Sequence, residues 1–459
     1  MNKKRLPKST YPNRYEIELD VDLDNFSYTG AQKVDLNVVE ATNNIVLNSV
    51  GIEVTKAKIQ TTKQDIPLEV NYIEEDEKIV FESQETLSEG VYELYLEFNA
   101  EITNDLKGFY KSSYMSEDGE KKWIATTQFE PTAARSAFPC WDEPEYKAIF
   151  SITIITDEKY LRVSNEMVVE EEKVENNKLR TKFADSMKMS SYLVAFVIGD
   201  LEATVVGKSK TTDIRIIHRP GFSHQTSYAG TAAIKLLDFF EDYYKIPYPG
   251  TKLDLIAIPD FAMGAMENVG AVTFRENLLL FDKDKATRSE LDRSITVIAH
   301  ELAHMWFGDL VTMKWWDGIW LNEAFASLME VIASYNTYPE FKQWNAMNMS
   351  RTAGFSIDSL ENSRPVEFDV ETPDQAEEMF DVLTYEKGST VLRMFQMFIG
   401  EEAFQNGVEA YLNKFKFENT NSSDLWDALS EASNQPLNKI LPFWIREKGY
   451  PFLQVDCSN

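Results

Sequence analysis

The sequence predicts an α+β protein of more than one domain, with a β-rich N-terminal part followed by a mostly helical one. Three observations carry this. A chain of 459 residues exceeds what one hydrophobic core supports and points to two or three domains. Up to about residue 201, apolar and polar residues alternate over short runs, the period of a half-buried strand. From Ser289 onward apolar residues recur at spacings of three and four, the period of a helix buried along one face.

Taken in order, residues 15–23 read Tyr-Glu-Ile-Glu-Leu-Asp-Val-Asp-Leu, a strict alternation, and residues 33–39 and 91–98 behave alike. Charged and Asn-rich clusters at 74–78 and 170–177 read as turns. The β-rich domain is assigned to residues 1–201, closing near Gly199-Asp200. Residues 214–218 form a strand, 227–244 an amphipathic helix and 253–258 an apolar, strand-like run. A helix over 288–307 carries Leu291, Ile295, Ile298, Leu302 and Met305 on one face, with Ser289 as N-cap and Gly308 at its stop. A second helix starts within 317–326 and runs through Tyr335. Residues 202–447 are assigned to this second domain, and 449–455 look like the first strand of a further β domain over 448–459.

Composition excludes more than it selects. Hydrophobic content of 43% is ordinary for a globular protein. A net charge of −29 argues against nucleic-acid binding and against an anionic membrane surface, since both need basic patches. Cys140 and Cys457 lie far apart and indicate no disulfide framework. The basic start, Met1-Asn2-Lys3-Lys4-Arg5, is followed by no apolar segment of the signal-peptide kind, and no run approaches eighteen apolar residues. A cytoplasmic protein without a membrane span is the expectation.

The chemistry is carried by His300-Glu301-Leu302-Ala303-His304, with Glu323 nineteen residues further on. Histidines at i and i+4 share one helix face, roughly 5–6 Å apart, close enough for a single metal ion. Imidazole nitrogen and carboxylate oxygen suit zinc, whose catalytic sites take three protein ligands and leave a position for water. His300, His304 and Glu323 supply that set, for one zinc per chain. Glu301, beside the first ligand, can serve as general base to the water, whose pKa zinc lowers to about 7. A bare H-E-x-x-H string also arises as two surface histidines flanking a solvated glutamate. Against that stand the helical register, the second helix placing Glu323 near its start, and a total of only four histidines. His218 and His224 have no ligand spacing and read as structural. The reaction class is metal-assisted hydrolysis.

A second motif, Met263-Gly264-Ala265-Met266-Glu267-Asn268, follows the strand-like run 253–258. Gly264 and Ala265 let a substrate backbone approach closely, and Glu267 sets a negative charge beside it. Glu130, in Gln128-Phe129-Glu130-Pro131, offers another carboxylate. Carboxylates gathered near a metal are what holding a free α-amino group requires, although singly each reads as a solvated surface acid. Glu330 lies seven residues beyond Glu323, on the same helix face, where it reads equally as a surface acid or as the partner of a ligand histidine's free N–H.

This set of motifs resembles the zinc aminopeptidases of the aminopeptidase N type, a gluzincin family with a thermolysin-like catalytic domain. Met263 through Asn268 is similar to the family's exopeptidase signature, and His300, His304 and Glu323 match its zinc pattern. Trp315-Trp316 and Trp320 through Ala326 match the block around the third ligand. Pro131 through Arg135 and Phe138 through Pro144 match its N-terminal-domain block, and Tyr385-Glu386-Lys387-Gly388 the segment with its catalytic tyrosine. The resemblance implies that Glu130 and Glu267 bind the substrate α-amine and that Gly264 and Ala265 line the peptide backbone. It also implies a substrate-binding role for Gln128, Met266 and Asn268, with Met263 lining the first side-chain pocket. Tyr385 would donate to the oxyanion, a contact worth roughly a hundredfold or more in rate. From the residues alone Tyr385 reads as a core or interface ring.

The resemblance thus implies peptide substrates with a free N-terminal amine. Two alternatives remain: a zinc hydrolase of the epoxide hydrolase type, and a catalytically impaired member acting as a binding protein. The short chain and its Lys- and Asn-rich composition favour peptides over epoxides, and the presence of His300, Glu301, His304, Glu323 and Tyr385 together speaks against the impaired form. The family usually continues into a β-sandwich and a large helical domain roofing the site; this sequence is expected to lack both. The oligomeric state is not legible.

Overall fold

The computed structural model describes residues 5–61, 64–210, 212–452 and 454–456. Strand Thr10–Asp22 is the spine of the N-terminal part. It buries Tyr15, Ile17, Leu19 and Val21 on one face, as its alternation requires. It pairs antiparallel with Ser27–Val38 and parallel with Ile149–Asp157. The resulting ten-stranded sheet ends at Thr42–Asn48 on one side and at Val168–Lys173 on the other. That last strand corrects the turn expected over 170–177. Its acidic residues are exposed throughout, and the chain reverses only after Lys173, with Asn176 and Asn177 in the left-handed region. An edge strand has one neighbour to satisfy, so a charged run there opposes no burial and discourages further pairing.

A second sheet holds four strands, among them Gly108–Met115 and Lys121–Gln128, which pair antiparallel. The third sheet has five strands, with Leu253–Ile258 at its centre between Asp213–His218 and Ala271–Arg275, both parallel to it. All six residues of Leu253–Ile258 are buried, which explains its unbroken apolar character. Asp254 is tolerated there because Arg215 and Lys252 pair with it at 2.6 and 2.8 Å. The short edge strand Ala265–Met266 completes the sheet.

Helix α1 (Ser227–Tyr244) packs on helix α2 (Arg288–His304), which packs on helix α3 (Trp320–Thr337). The N-cap of α2 is Thr287, two residues before the Ser289 expected. Thr287 and Glu290 form a reciprocal capping box, which satisfies two end donors at once and outcompetes a lone serine. The helix ends at His304, three residues before the sequence periodicity does. Beyond α3 lie helix α4 (Gln343–Asp358) and a π-helical turn, Leu383–Lys387, running into helix Gly388–Ile399. The β-rich part is tied to the helical part by buried Lys147, whose ammonium donates to the carbonyls of Asp309 and Leu310.

No strand forms over the described residues of 449–455, where a strand was expected; Pro451 fixes φ and removes a donor. Cys140 is buried with a free thiol, while Cys457 and the basic residues 1–4 lie outside the described residues. Among the described residues, no helix is long and apolar enough to cross a membrane.

Candidate active site

A cavity of about 530 Å³ opens where the end of strand Lys121–Gln128 and the edge strand Ala265–Met266 meet α2, α3 and the turn Leu383–Lys387. His300 and His304 project into it from the C-terminal end of α2, and Glu323 from the first turn of α3. The two helices are registered by Tyr192, which donates to the Gly308 carbonyl and accepts from the Asn322 amide, both at 3.3 Å.

Three atoms converge. His300 Nε2 lies 3.1 Å from His304 Nε2 and 3.3 Å from Glu323 Oε2, and His304 Nε2 lies 3.4 Å from the same oxygen. Ligands about 2.0–2.2 Å from a tetrahedral zinc stand roughly 3.3–3.5 Å from one another, so the donor set fits that ion in chemistry and spacing. The far sides of both rings are engaged as well. His300 Nδ1 lies 2.9 Å from Glu330 Oε2, and His304 Nδ1 lies 2.9 Å from the Phe307 carbonyl. A carboxylate and a carbonyl only accept, so each Nδ1 carries a proton, and each Nε2 is the nitrogen turned to the centre, where it would bind a metal once its own proton is lost.

The electrostatics reflect carboxylates and imidazoles forced together out of water. Burial pulls His300 down, but hydrogen bonds to Glu323 and Glu330 outweigh it and hold its pKa at about 9. Burial would raise Glu323, yet the two histidines keep it well below the usual carboxylate range. Glu301 lines the cavity beside His300 and His304, and burial lifts its pKa to about 8 against the pull of both histidines. Burial also lifts the Tyr385 phenol, with Glu323 and Glu130 adding to the shift. The Tyr385 ring is stacked on His300, with centroids 6.0 Å apart.

Glu130 and Glu267 are buried, which corrects the solvated-acid reading of each. Glu130 follows the end of strand Lys121–Gln128 and Glu267 the end of strand Ala265–Met266, so the covering surface comes from two different sheets. Carboxylate oxygens of Glu130, Glu267 and Glu323 all lie within 4.8 Å of one another. One oxygen of Glu130, one of Glu267 and the amide oxygen of Gln128 are buried without a hydrogen-bond partner. Burial raises both glutamates, and for Glu130 the neighbouring Glu267 and Glu323 raise it further. Such a cluster calls for a cation with several N–H groups.

Met263, Gly264, Ala265 and Met266 line the same cavity, and Gln128 donates to the Met266 sulfur at 3.3 Å. A Cβ at Gly264 would meet only Leu278, at 3.9 Å, so packing alone does not demand a glycine there. Asn268 is not on the cavity wall; it is buried behind, with its amide donating to Thr273. His218 is buried between Thr204 and the Arg219 carbonyl, and His224 is exposed, both away from the centre. Among the lining residues that the sequence reading does not single out are Arg293 and Asp381. Arg293 stands seven residues before His300, two turns along the same face of α2, and that spacing was the available signal. Asp381 reaches the wall through a loop and left no local signal.

Comparison with known proteins gives matches over most of the chain. Residues 11–193 match the Peptidase M1 N-terminal domain and residues 228–444 the Peptidase family M1 domain. Aminopeptidase M1 of Arabidopsis thaliana is 42% identical over 99% of this chain and 52% of its own length. Aminopeptidase 2 of Candida albicans is 40% identical over 98% of this chain and 48% of its own. Puromycin-sensitive aminopeptidase of Caenorhabditis elegans is 38% identical, with the same coverage of 98% and 48%. The chain spans about half the length of these curated relatives.

Proposed function

The chain belongs to peptidase family M1, and from that premise we propose that it is a zinc-dependent aminopeptidase acting on peptides with a free N-terminal amine. The observation that supports this best is the buried carboxylate pair, Glu130 and Glu267, with unpartnered oxygens beside the convergent His300, His304 and Glu323. The relatives' names include the word aminopeptidase, which agrees with it.

In this reading His300, His304 and Glu323 hold one zinc, with Glu330 fixing the His300 ring. When bound, zinc would lower the pKa of a water to about 7 and polarise the scissile carbonyl. Glu301 takes up the water's proton and passes it to the leaving amine. Glu130 and Glu267 hold the substrate ammonium, which limits the cavity to the first residue of a chain. Gly264 and Ala265 accommodate the backbone, and Met263, exposed at the cavity wall, meets the first side chain. Tyr385 donates its phenolic hydrogen to the developing oxyanion; burial keeps the phenol protonated well above neutral pH. The division of the chain near residues 201 and 447 belongs to the same proposal, supported by where the two family matches fall.

The test is hydrolysis of a panel of aminoacyl chromogenic amides by the 459-residue chain. Activity lost to a chelator and restored by zinc supports the reading. Activity indifferent to the chelator, or absent from zinc-loaded protein, contradicts it.

A further inference from the structure

Tyr385 sits in the middle of the π-helical turn Leu383–Lys387, and that turn is pinned at both ends by ion pairs. On the N-terminal side, Asp381 Oδ1 accepts from the backbone N–H groups of Leu383 and Thr384 at 2.9 and 3.1 Å, and from Arg364 at 2.6 Å. On the C-terminal side, Lys387 Nζ lies 2.9 Å from Asp358 Oδ2 and donates to the carbonyls of Gly449 and Glu447 at 3.0 and 3.2 Å. Asp358 Oδ1 accepts in turn from the Gly449 N–H at 2.8 Å and from the Ser363 hydroxyl at 2.9 Å. The side chains of Lys387 and Asp358 are 7% and 2% exposed.

A buried ammonium is tolerated only when its donors are matched, and Lys387 has three donors facing three acceptors. The arrangement is specific for another reason. A π-helical turn holds one residue more than the α-helix would, is rare, and has no local preference to maintain it. Relaxing it to α-helix would rotate Tyr385 by roughly 100° about the axis, the advance of one residue, and carry the phenol away from the centre. Contacts from outside the turn must therefore select its register. Lys387 supplies them from the end of α4 and from residues 447–449, two segments that do not themselves line the cavity near Tyr385.

We propose that Lys387 and Asp358 are positioning residues for Tyr385: their ion pair, closed over the backbone at Glu447 and Gly449, fixes the register that keeps the Tyr385 ring on His300. The inference rests on the reading of Tyr385 as the oxyanion donor. It makes residues 447–449 part of the support of the active site.

The test is a double-mutant cycle with zinc-loaded full chain. The paired variant Lys387→Met/Asp358→Asn removes both charges, so no buried charge is left alone. It is made in the native background and in Tyr385→Phe, with kcat, KM, zinc content and the unfolding midpoint recorded. The paired variant is expected to lose about tenfold in kcat, as displacement of a catalytic group does, with KM within about twofold and one zinc retained. In the Tyr385→Phe background the same change should cost less than about twofold, because the group it positions is gone. Lys387→Arg keeps the pair charged but cannot match three point acceptors with a planar fork, and should show the same pattern at about threefold. That variant decides the matter if the paired one fails to fold. Equal losses in both backgrounds, or an unaltered kcat, would overturn the positioning role. Full turnover by Tyr385→Phe alone would instead overturn the oxyanion reading and this inference with it.

Discussion

His300 Nδ1 and Glu330 Oε2 stand 2.9 Å apart, joining the C-terminal part of α2 to the middle of α3. This contact fixes which nitrogen of His300 faces His304 and Glu323 and holds the ring's plane. Replacing Glu330 by alanine should leave the three ligands in place and weaken zinc binding by about ten- to hundredfold. Glu330→Gln should fall between, since an amide oxygen can still accept. Competition against a chromophoric chelator measures this, and unchanged affinity in Glu330→Ala would remove Glu330 from the metal site.

Zinc binding should release protons. Without the ion, Glu323 and Glu330 hold His300 at about 9, above its ordinary value, so at pH 7 the ring is protonated. A metal ligand must be neutral, so binding expels that proton, and apparent affinity should climb as pH rises from about 6 to about 9. Calorimetry at pH 7 in two buffers of different ionisation enthalpy reads the count directly. An affinity flat across that window would mean that the histidines are neutral before zinc arrives.

Glu301 and the ligands should separate cleanly. Glu301→Gln should keep its zinc yet lose about 10²- to 10⁴-fold in turnover, since the amide cannot take up a proton. His304→Ala should lose both. Loss of zinc from Glu301→Gln would make Glu301 a ligand or a structural group.

Gly388 tests the packing behind the site. A Cβ at this position would lie 2.6 Å from the Cβ of Ala324, the residue after Glu323. The helix that follows the Tyr385 turn must therefore move away from α3 to admit a methyl group. Gly388→Ala is expected to cost about 1–3 kcal/mol in urea unfolding and to lower kcat. A variant as stable and active as the parent would show that the two helices separate freely.

What the sequence revealed and what it concealed divide along physical lines. Helical spacing puts His300 with His304, and Glu323 with Glu330, on shared helix faces, although for Glu330 it leaves a surface acid equally open. Glu130 and Glu267 were misread as solvated acids when taken singly, because what buries them is the meeting of two sheets distant in sequence. Tyr385 was invisible to periodicity, since its turn departs from the α-helical period that a pattern search assumes. The alternation over 15–23 foretold strand Thr10–Asp22, whereas the acidic edge strand Val168–Lys173 mimicked a turn because neither of its faces is buried. The α2 cap is written in Thr287 and Glu290, whose reciprocal bonds a lone Ser289 cannot match.

The most direct measurement compares a short peptide with its N-acetylated form as substrates of the zinc-loaded chain. Acetylation removes the positive charge and leaves Glu130 and Glu267, buried with unpartnered oxygens, facing a neutral amide. Each charge-assisted hydrogen bond lost is worth about 1.5–3 kcal/mol, so the acetylated peptide should react at least about a hundredfold more slowly when two are lost. Glu267→Ala should narrow that gap, chiefly by slowing the free peptide. Equal cleavage of the free and acetylated peptides by the unaltered chain would contradict the aminopeptidase reading even with the metal site intact.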